Sequence, residues 1–323
     1  MERAAYAFHY ALNSLLWAVC VAGLNLSVVK SSPSLLPLFS VALGLSAAAA
    51  LILGYAARPS RRALKAYIVA GAAAGFPPTL LTEVPPQLLA LHYTALGFLC
   101  GFFLPHAVEA FLGSTSFTDR GARSGLLIAC FSGSLAFFGA VSKWLLLTAI
   151  GLAAYRLTAL LGVDAALELA ERGVAEQPTL PSRWAWWLGL CWVMAAASDV
   201  LAYSQVPVFE PTGGFTLLHT EGLVLDACFA IAAGLLMDRL GRRPPLLAST
   251  AFLGVLHSLR SMAPGELQPC LSLASEAPWA FLATFYLLVL PGDVGVGGVR
   301  RALTSFTLTT FWLKLALRHA ELT

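Results

Sequence analysis

Charge is scarce in this sequence, and its scarcity excludes most soluble architectures. Asp, Glu, Lys and Arg make up 11% of the 323 residues, against roughly a quarter in ordinary soluble domains. A chain of this length could bury a sizeable core, but so little charged surface would not keep it dissolved. The net charge of +3 is too small to suggest nucleic acid as a partner. Cysteine is thin as well. Cys20, Cys100, Cys130, Cys191, Cys228 and Cys270 stand singly, with no CxxC pair, so neither a disulfide frame nor a cysteine metal site is expected. No HExxH helix and no paired aspartate-rich motif occurs, and the histidines are isolated. These absences argue against a membrane-embedded enzyme, a resident metal and a cofactor.

What the chain has in excess is apolar length. Hydrophobic residues reach 58% and the mean hydropathy is +0.77. Stretches long enough to cross a bilayer, which takes about 20 residues, lie near 7–29, 34–57, 64–82, 87–112, 122–142, 143–164, 184–205, 215–237, 244–262, 275–292 and 302–319. The pattern predicts an all-α integral membrane protein of about eleven spans. The first stretch follows Arg3, but its apolar core is too long for a signal peptide, so it reads as a permanent helix.

Basic residues then set the direction. With the N-terminus inside, the inner segments carry Arg3, Arg58, Arg61, Arg62, Lys65, Arg120, Arg123, Arg172, Arg183, Arg239, Arg242, Arg243, Arg300 and Arg301, 14 of the 20 Lys and Arg. The outer loops hold Lys30, Lys143 and Arg260. A multi-pass cell-membrane protein is expected, with its N-terminus cytoplasmic and the end of its last span outside.

Shifting the chain by 180 brings several features into coincidence. Arg3 meets Arg183, Gly54 and Arg62 meet Gly234 and Arg242, and Arg120 meets Arg300. Two related halves are expected: a six-helix bundle over 1–164, a cytoplasmic linker over 165–183, and a five-helix bundle over 184–323. Within the linker, Glu168, Glu171, Arg172 and Glu176 suit a short surface helix, while Pro178 and Pro181 suit a connection.

The segment after the eighth span reads Gly234-Leu-Leu-Met-Asp238-Arg239-Leu-Gly241-Arg242-Arg243. It resembles the G-x-x-x-D-R-x-G-R-R loop signature of the major facilitator superfamily of secondary transporters. An aspartate at the inner end of a helix can meet a neighbouring helix N-terminus and arginines, and Gly241 permits a sharp reversal. The first-half copy, Gly54-Tyr-Ala-Ala-Arg58-Pro-Ser-Arg61-Arg62, has arginine where the aspartate belongs. Gly97, Gly101, Pro105 and Glu109, followed by Asp119-Arg120-Gly121-Ala122, resemble the family's fourth helix and its entry to the fifth.

The resemblance implies transport of a small solute by alternating access between two bundles. It implies a cytoplasmic gate built from Gly234, Asp238, Arg239, Gly241, Arg242 and Arg243, with Glu109, Arg120 and Arg123 at the junction of helices 4 and 5. The family has twelve helices, whereas this sequence ends where the partner of its sixth span would begin. In the family that helix is peripheral, so the cavity-lining helices are expected to be present. The partners expected are the lipid bilayer, a small-molecule substrate of unassigned class and, for coupling, a proton.

Ionisable residues at membrane depth are candidates for that work. Asp226 sits near the middle of the eighth span, with His219 two turns earlier on the same face. It is read either as a proton acceptor or as the partner of a cationic substrate. Asp199 follows, flanked by Trp192 and Tyr203. His9, Asn13 and Trp17 form an i, i+4, i+8 stripe on the first helix, suited to a substrate surface or to a seam between helices. Arg156 is expected to snorkel from a peripheral helix toward the inner surface. His106 and Glu109 share a face and read as gate residues, and Trp184, Trp186 and Trp187 as an interfacial belt. A non-transporting scaffold or sensor is the main rival to transport.

Overall fold

The computed structural model describes residues 2–29, 36–80, 84–141, 144–172, 180–204, 220–294 and 298–321. They form eleven consecutive helical runs. The first three are α1 (Glu2–Val29), α2 (Leu36–Ala56) and α3 (Arg61–Ala74). Next come α4 (Pro86–Leu112), α5 (Arg120–Val141) and α6, which runs Leu145–Thr158, Ala159–Gly162 and Val163–Arg172. The second half contributes α7 (Ser182–Ser204), α8 (Thr220–Leu240) and α9 (Arg243–Met262). It ends with α10 (Gln268–Thr284, Phe285–Val289, Leu290–Asp293) and α11 (Gly298–Glu321).

Local chemistry explains the punctuation. Ser60 caps α3, its hydroxyl accepting from Ala63 N–H at 3.2 Å. Gly241 has φ of 84°, a left-handed turn that lets α8 reverse into α9 within two residues. Pro105 lacks the N–H that would bond Gly101, and α4 breaks at Phe102 and Phe103. In α10, a π-helical segment at Phe285–Val289 shifts the register of its last turns.

Seven runs are long and apolar enough to cross a membrane by themselves: α1, α2, α4, α5, α6, α7 and α10. The other four are less self-sufficient. α3 has 14 residues, α8 carries Glu221, Asp226, Asp238 and Arg239, and α11 carries Arg300, Arg301 and Lys314. Their place in the bundle depends on packing. Outward faces are apolar, with Leu38, Ile52, Phe137, Leu147 and Met194 all exposed. Such a surface suits lipid and not water. Trp184, Trp186 and Trp187 are exposed on α7 in the same way.

α1 lies against α4, α5 and α6, α2 against α4, and α3 against α6, forming one bundle. In the other, α7 packs on α9 and α11, and α8 and α9 pack on α10. Two long seams join the bundles: α5 with α8, and α2 with α11.

Two expectations need correction. The polar stretch after residue 164 does not begin a separate surface helix. It continues α6 to Arg172, because Val163 and Ala166 join Tyr10, Ile68 and Ala107 in a buried cluster. Its acidic face meets the starts of α1 and α3, Glu168 pairing with Arg3 and Asp164 with Arg61 at 2.6 Å. Glu176 and Pro178 lie outside the described residues. Arg156 does not snorkel. It is 2% exposed and turns inward, since Asn13 and Ser14 on α1 and the faces of Trp17 and Tyr67 offer neutral partners.

Candidate functional site

The α5–α8 seam is made by glycine. A Cβ on Gly234 would run into the carbonyl oxygen of Gly121, and one on Gly125 into that of Ala230. A Cβ on Gly121 would meet Asp238 Oδ1 at 2.5 Å. Only bare backbone allows this approach, and it brings the N-terminus of α5 onto Asp238. Oδ1 accepts from Gly121 N–H at 2.9 Å, and Oδ2 from Ala122 N–H at 2.7 Å. The carboxylate thus fills two of the donors that a helix start leaves free, where the dipole also favours negative charge.

Arg242 ties this contact into a network. It donates to Asp238 Oδ1 at 2.6 Å, to Phe117 O at 2.7 Å and to Asp293 Oδ2 at 3.2 Å, and its guanidinium lies 4.7 Å from the Phe117 ring centroid. Arg120, 3% exposed, donates to Asp293 Oδ1 at 2.6 Å. Asp293 was not singled out in the sequence. It closes α10, and the only hint there is its place at the end of an apolar run, as Glu109 nears the end of α4.

A second link crosses between the bundles beside the α2–α11 seam. Arg301, at the start of α11, donates to both oxygens of Glu109, at 3.0 and 2.9 Å, and Arg300 is buried near by. The two links correspond. Arg120 at the start of α5 holds the end of α10, while Arg301 at the start of α11 holds the end of α4. The degenerate first loop does not copy the second: Arg58 is exposed and has no ion pair among the described residues. Arg123 stays local, bonding Asp119 at 2.8 Å and Ser114 O at 2.9 Å. Arg239 and Arg243 are exposed at the same end, and His106 packs edge-on against Tyr10. A recess of about 140 Å³ among Phe117, Met237, Asp238 and Arg242 is small beside the roughly 300–1,000 Å³ of ordinary ligand sites.

Asp226 lies near the start of the described part of α8. Half-buried, it accepts a hydrogen bond from Ser132 of α5, a contact between bundles. Glu276 on α10 packs against Gly222, one turn from Asp226, and Glu276 and Lys314 are its charged neighbours. His219 lies outside the described residues. Asp199 is not at a wet interface but fully buried, because three other helices bring it partners. Trp279 Nε1 donates to it at 2.8 Å, Lys314 Nζ lies 2.9 Å away and His257 Nε2 3.5 Å away. The Lys314 ammonium also stands 3.1 Å from the Trp279 ring centroid. The side chain of Tyr203 lies outside the described residues. His257 was missed because nothing in the sequence joins it to Asp199, 58 positions away.

His9 and Asn13 bind α1 to α6. His9 meets Thr158 Oγ1 at 3.1 Å, and Asn13 donates to Tyr155 O at 2.6 Å and accepts from Arg156 at 3.1 Å. Asn13 is 0% exposed and its amide is fully used, so the stripe is a helix seam. Among the described residues, no group of three or more His, Cys, Asp or Glu is placed to hold a metal.

No family model and no curated protein matches the sequence. Solved structures do match in three dimensions. The proton:xylose symporter XylE, bound to 6-bromo-6-deoxy-D-glucose, is 14% identical with a TM-score of 0.53, over 96% of this chain and 88% of that one. A bacterial homologue of the iron transporter ferroportin, in an outward-facing state, is 12% identical with a TM-score of 0.59, over 99% and 96%. Identities this low speak to architecture alone, and the architecture is clear: this is an all-α membrane protein with the fold of the major facilitator superfamily transporters.

Proposed function

We propose that this chain is a secondary transporter that moves a small solute across the cell membrane by alternating access. Two bodies, 1–164 and 184–323, rock about the α5–α8 and α2–α11 seams. The observation that carries the reading is the paired closure at one end, Arg120 with Asp293 and Arg301 with Glu109, each joining a helix start in one bundle to a helix end in the other. Breaking both pairs would open that end without unfolding either body. The basic residues gathered there make it the cytoplasmic end, with Asp238 as part of the gate and the end of α11 outside. Asp226 is the coupling residue, taking a proton or a cationic group of the substrate.

The test is uptake of a panel of labelled solutes by proteoliposomes holding the full chain. A saturable, gradient-driven flux is expected for one solute class. Asp226→Asn should abolish uphill uptake and retain exchange. A folded protein that carries no solute in any gradient would overturn the reading in favour of a scaffold.

A further inference from the structure

The α8 helix presents two carboxylates to α5, about 18 Å apart by their spacing of twelve residues. They are held in opposite ways. Asp238 receives two backbone N–H groups and an arginine at a crossing too tight for any side chain. Those donors cannot rotate away while α5 remains a helix. Asp226 receives one side-chain hydroxyl, from Ser132, which is 2% exposed. A hydroxyl can turn, and Ser132 can bond a carbonyl of its own preceding turn instead.

The charges around Asp226 also differ. Glu276 faces it from α10, and Lys314 from α11 is engaged at 2.9 Å with Asp199 on α7, which His257 on α9 also approaches. Lys314, a cationic neighbour of Asp226, is thus shared with Asp199, and the like charge of Glu276 repels that of Asp226. A positive charge arriving at Asp226 meets less competition than at Asp238.

We propose that the Ser132–Asp226 bond is a releasable latch between the two bundles, opened when Asp226 takes up a positive charge, either a proton or the ammonium of a substrate. The inference rests on the transporter reading and adds the residue that senses loading. Asp226 is the binding group, and Ser132 is a positioning residue that transmits its occupancy to α5. Loading removes the negative charge that makes Asp226 the stronger acceptor, so Ser132 turns to a carbonyl of its own helix, as it would opposite a neutral asparagine, and the outer part of the seam parts while the Asp238 contacts persist.

Hydrogen–deuterium exchange of the full chain in lipid nanodiscs tests this without flux. Peptides from 126–141 and 220–232 report the latch, and those from 114–123 and 234–243 the gate. In the native protein, one of two additions should raise latch exchange about tenfold with the gate unchanged: acid from pH 8 to pH 6, corrected for intrinsic rates, or n-butylammonium at pH 8. The arm that responds identifies the charge. Asp226→Asn should be open under all conditions, as should Ser132→Ala, while Ser132→Thr restores the native response. Equal exchange in native protein, Asp226→Asn and Ser132→Ala, or no response to either arm, overturns the latch. If solute flux persists in such a protein, the latch alone has failed and the transporter reading stands.

Discussion

Replacing Asp293 with asparagine removes one charge from the point where three helices meet. Asp293 is 6% exposed and accepts from Arg120 at 2.6 Å and from Arg242 at 3.2 Å. Breaking a buried pair from one side costs about 3–5 kcal/mol, because the remaining charge stays desolvated. Two features reduce that here. Asparagine keeps one carbonyl acceptor, and Arg242 keeps Asp238, Met237 O and Phe117 O. About 2–3 kcal/mol should therefore be lost from the closed arrangement, a shift of roughly 30- to 150-fold toward the open one. Exchange of the backbone amides in 114–123 and 237–243 is the assay, and it should rise by that factor while the bundle interiors stay protected. A double-mutant cycle with Arg120→Gln should be non-additive by more than about 0.5 kcal/mol. If Asp293→Asn lowers the melting temperature and leaves local exchange untouched, the residue supports the fold and does not hold an end closed.

Gly234→Ala drives a methyl group into the Gly121 carbonyl, so it should cost about 1–3 kcal/mol, read as a lower Tm, with α5 and α8 exchanging faster. Glu109→Arg and Arg301→Glu should each impair uptake, and the double exchange should recover it, since the two groups face one another at 2.9 Å. Arg156→Gln should change stability by less than about 1 kcal/mol, because no carboxylate pairs with this guanidinium among the described residues and a buried cation costs much to desolvate. Trp17→Ala, which empties the space beneath it, should cost about 3–5 kcal/mol in a thermal melt.

Much of the fold was legible because the relevant signals are local. A span shows itself by about twenty consecutive apolar residues. The junction of Asp238 with α5 was legible for a different reason. One of the glycines that allow the approach, Gly234, lies four residues before the aspartate that exploits it, and Gly121 stands beside Arg120 at the start of α5. What escaped was whatever depends on which faces of distant helices meet. Asp293 and His257 have no neighbours in sequence that mark them, and they become meaningful only when α10 reaches Arg120 and α9 reaches Asp199.

Arg156 shows where a rule about single helices fails. A charged residue on a peripheral helix is expected to extend toward water when its surroundings are lipid. α6 is not surrounded by lipid at that position, because α1 and α3 cover it and supply Asn13, Ser14, Trp17 and Tyr67. Two amide or hydroxyl oxygens and two aromatic faces can hold a guanidinium that no acid among the described residues neutralises. The second bundle buries charge under the opposite rule: Asp199 and Lys314 neutralise one another at 2.9 Å, with Trp279 serving both. A neutral shell around Arg156 gives it nothing to exchange with, whereas the acidic surroundings of Lys314 let an incoming charge redistribute existing pairs. On the proposed transporter reading, the responsive part of the membrane interior is therefore the second bundle and its contact with α5, with the first bundle as the frame.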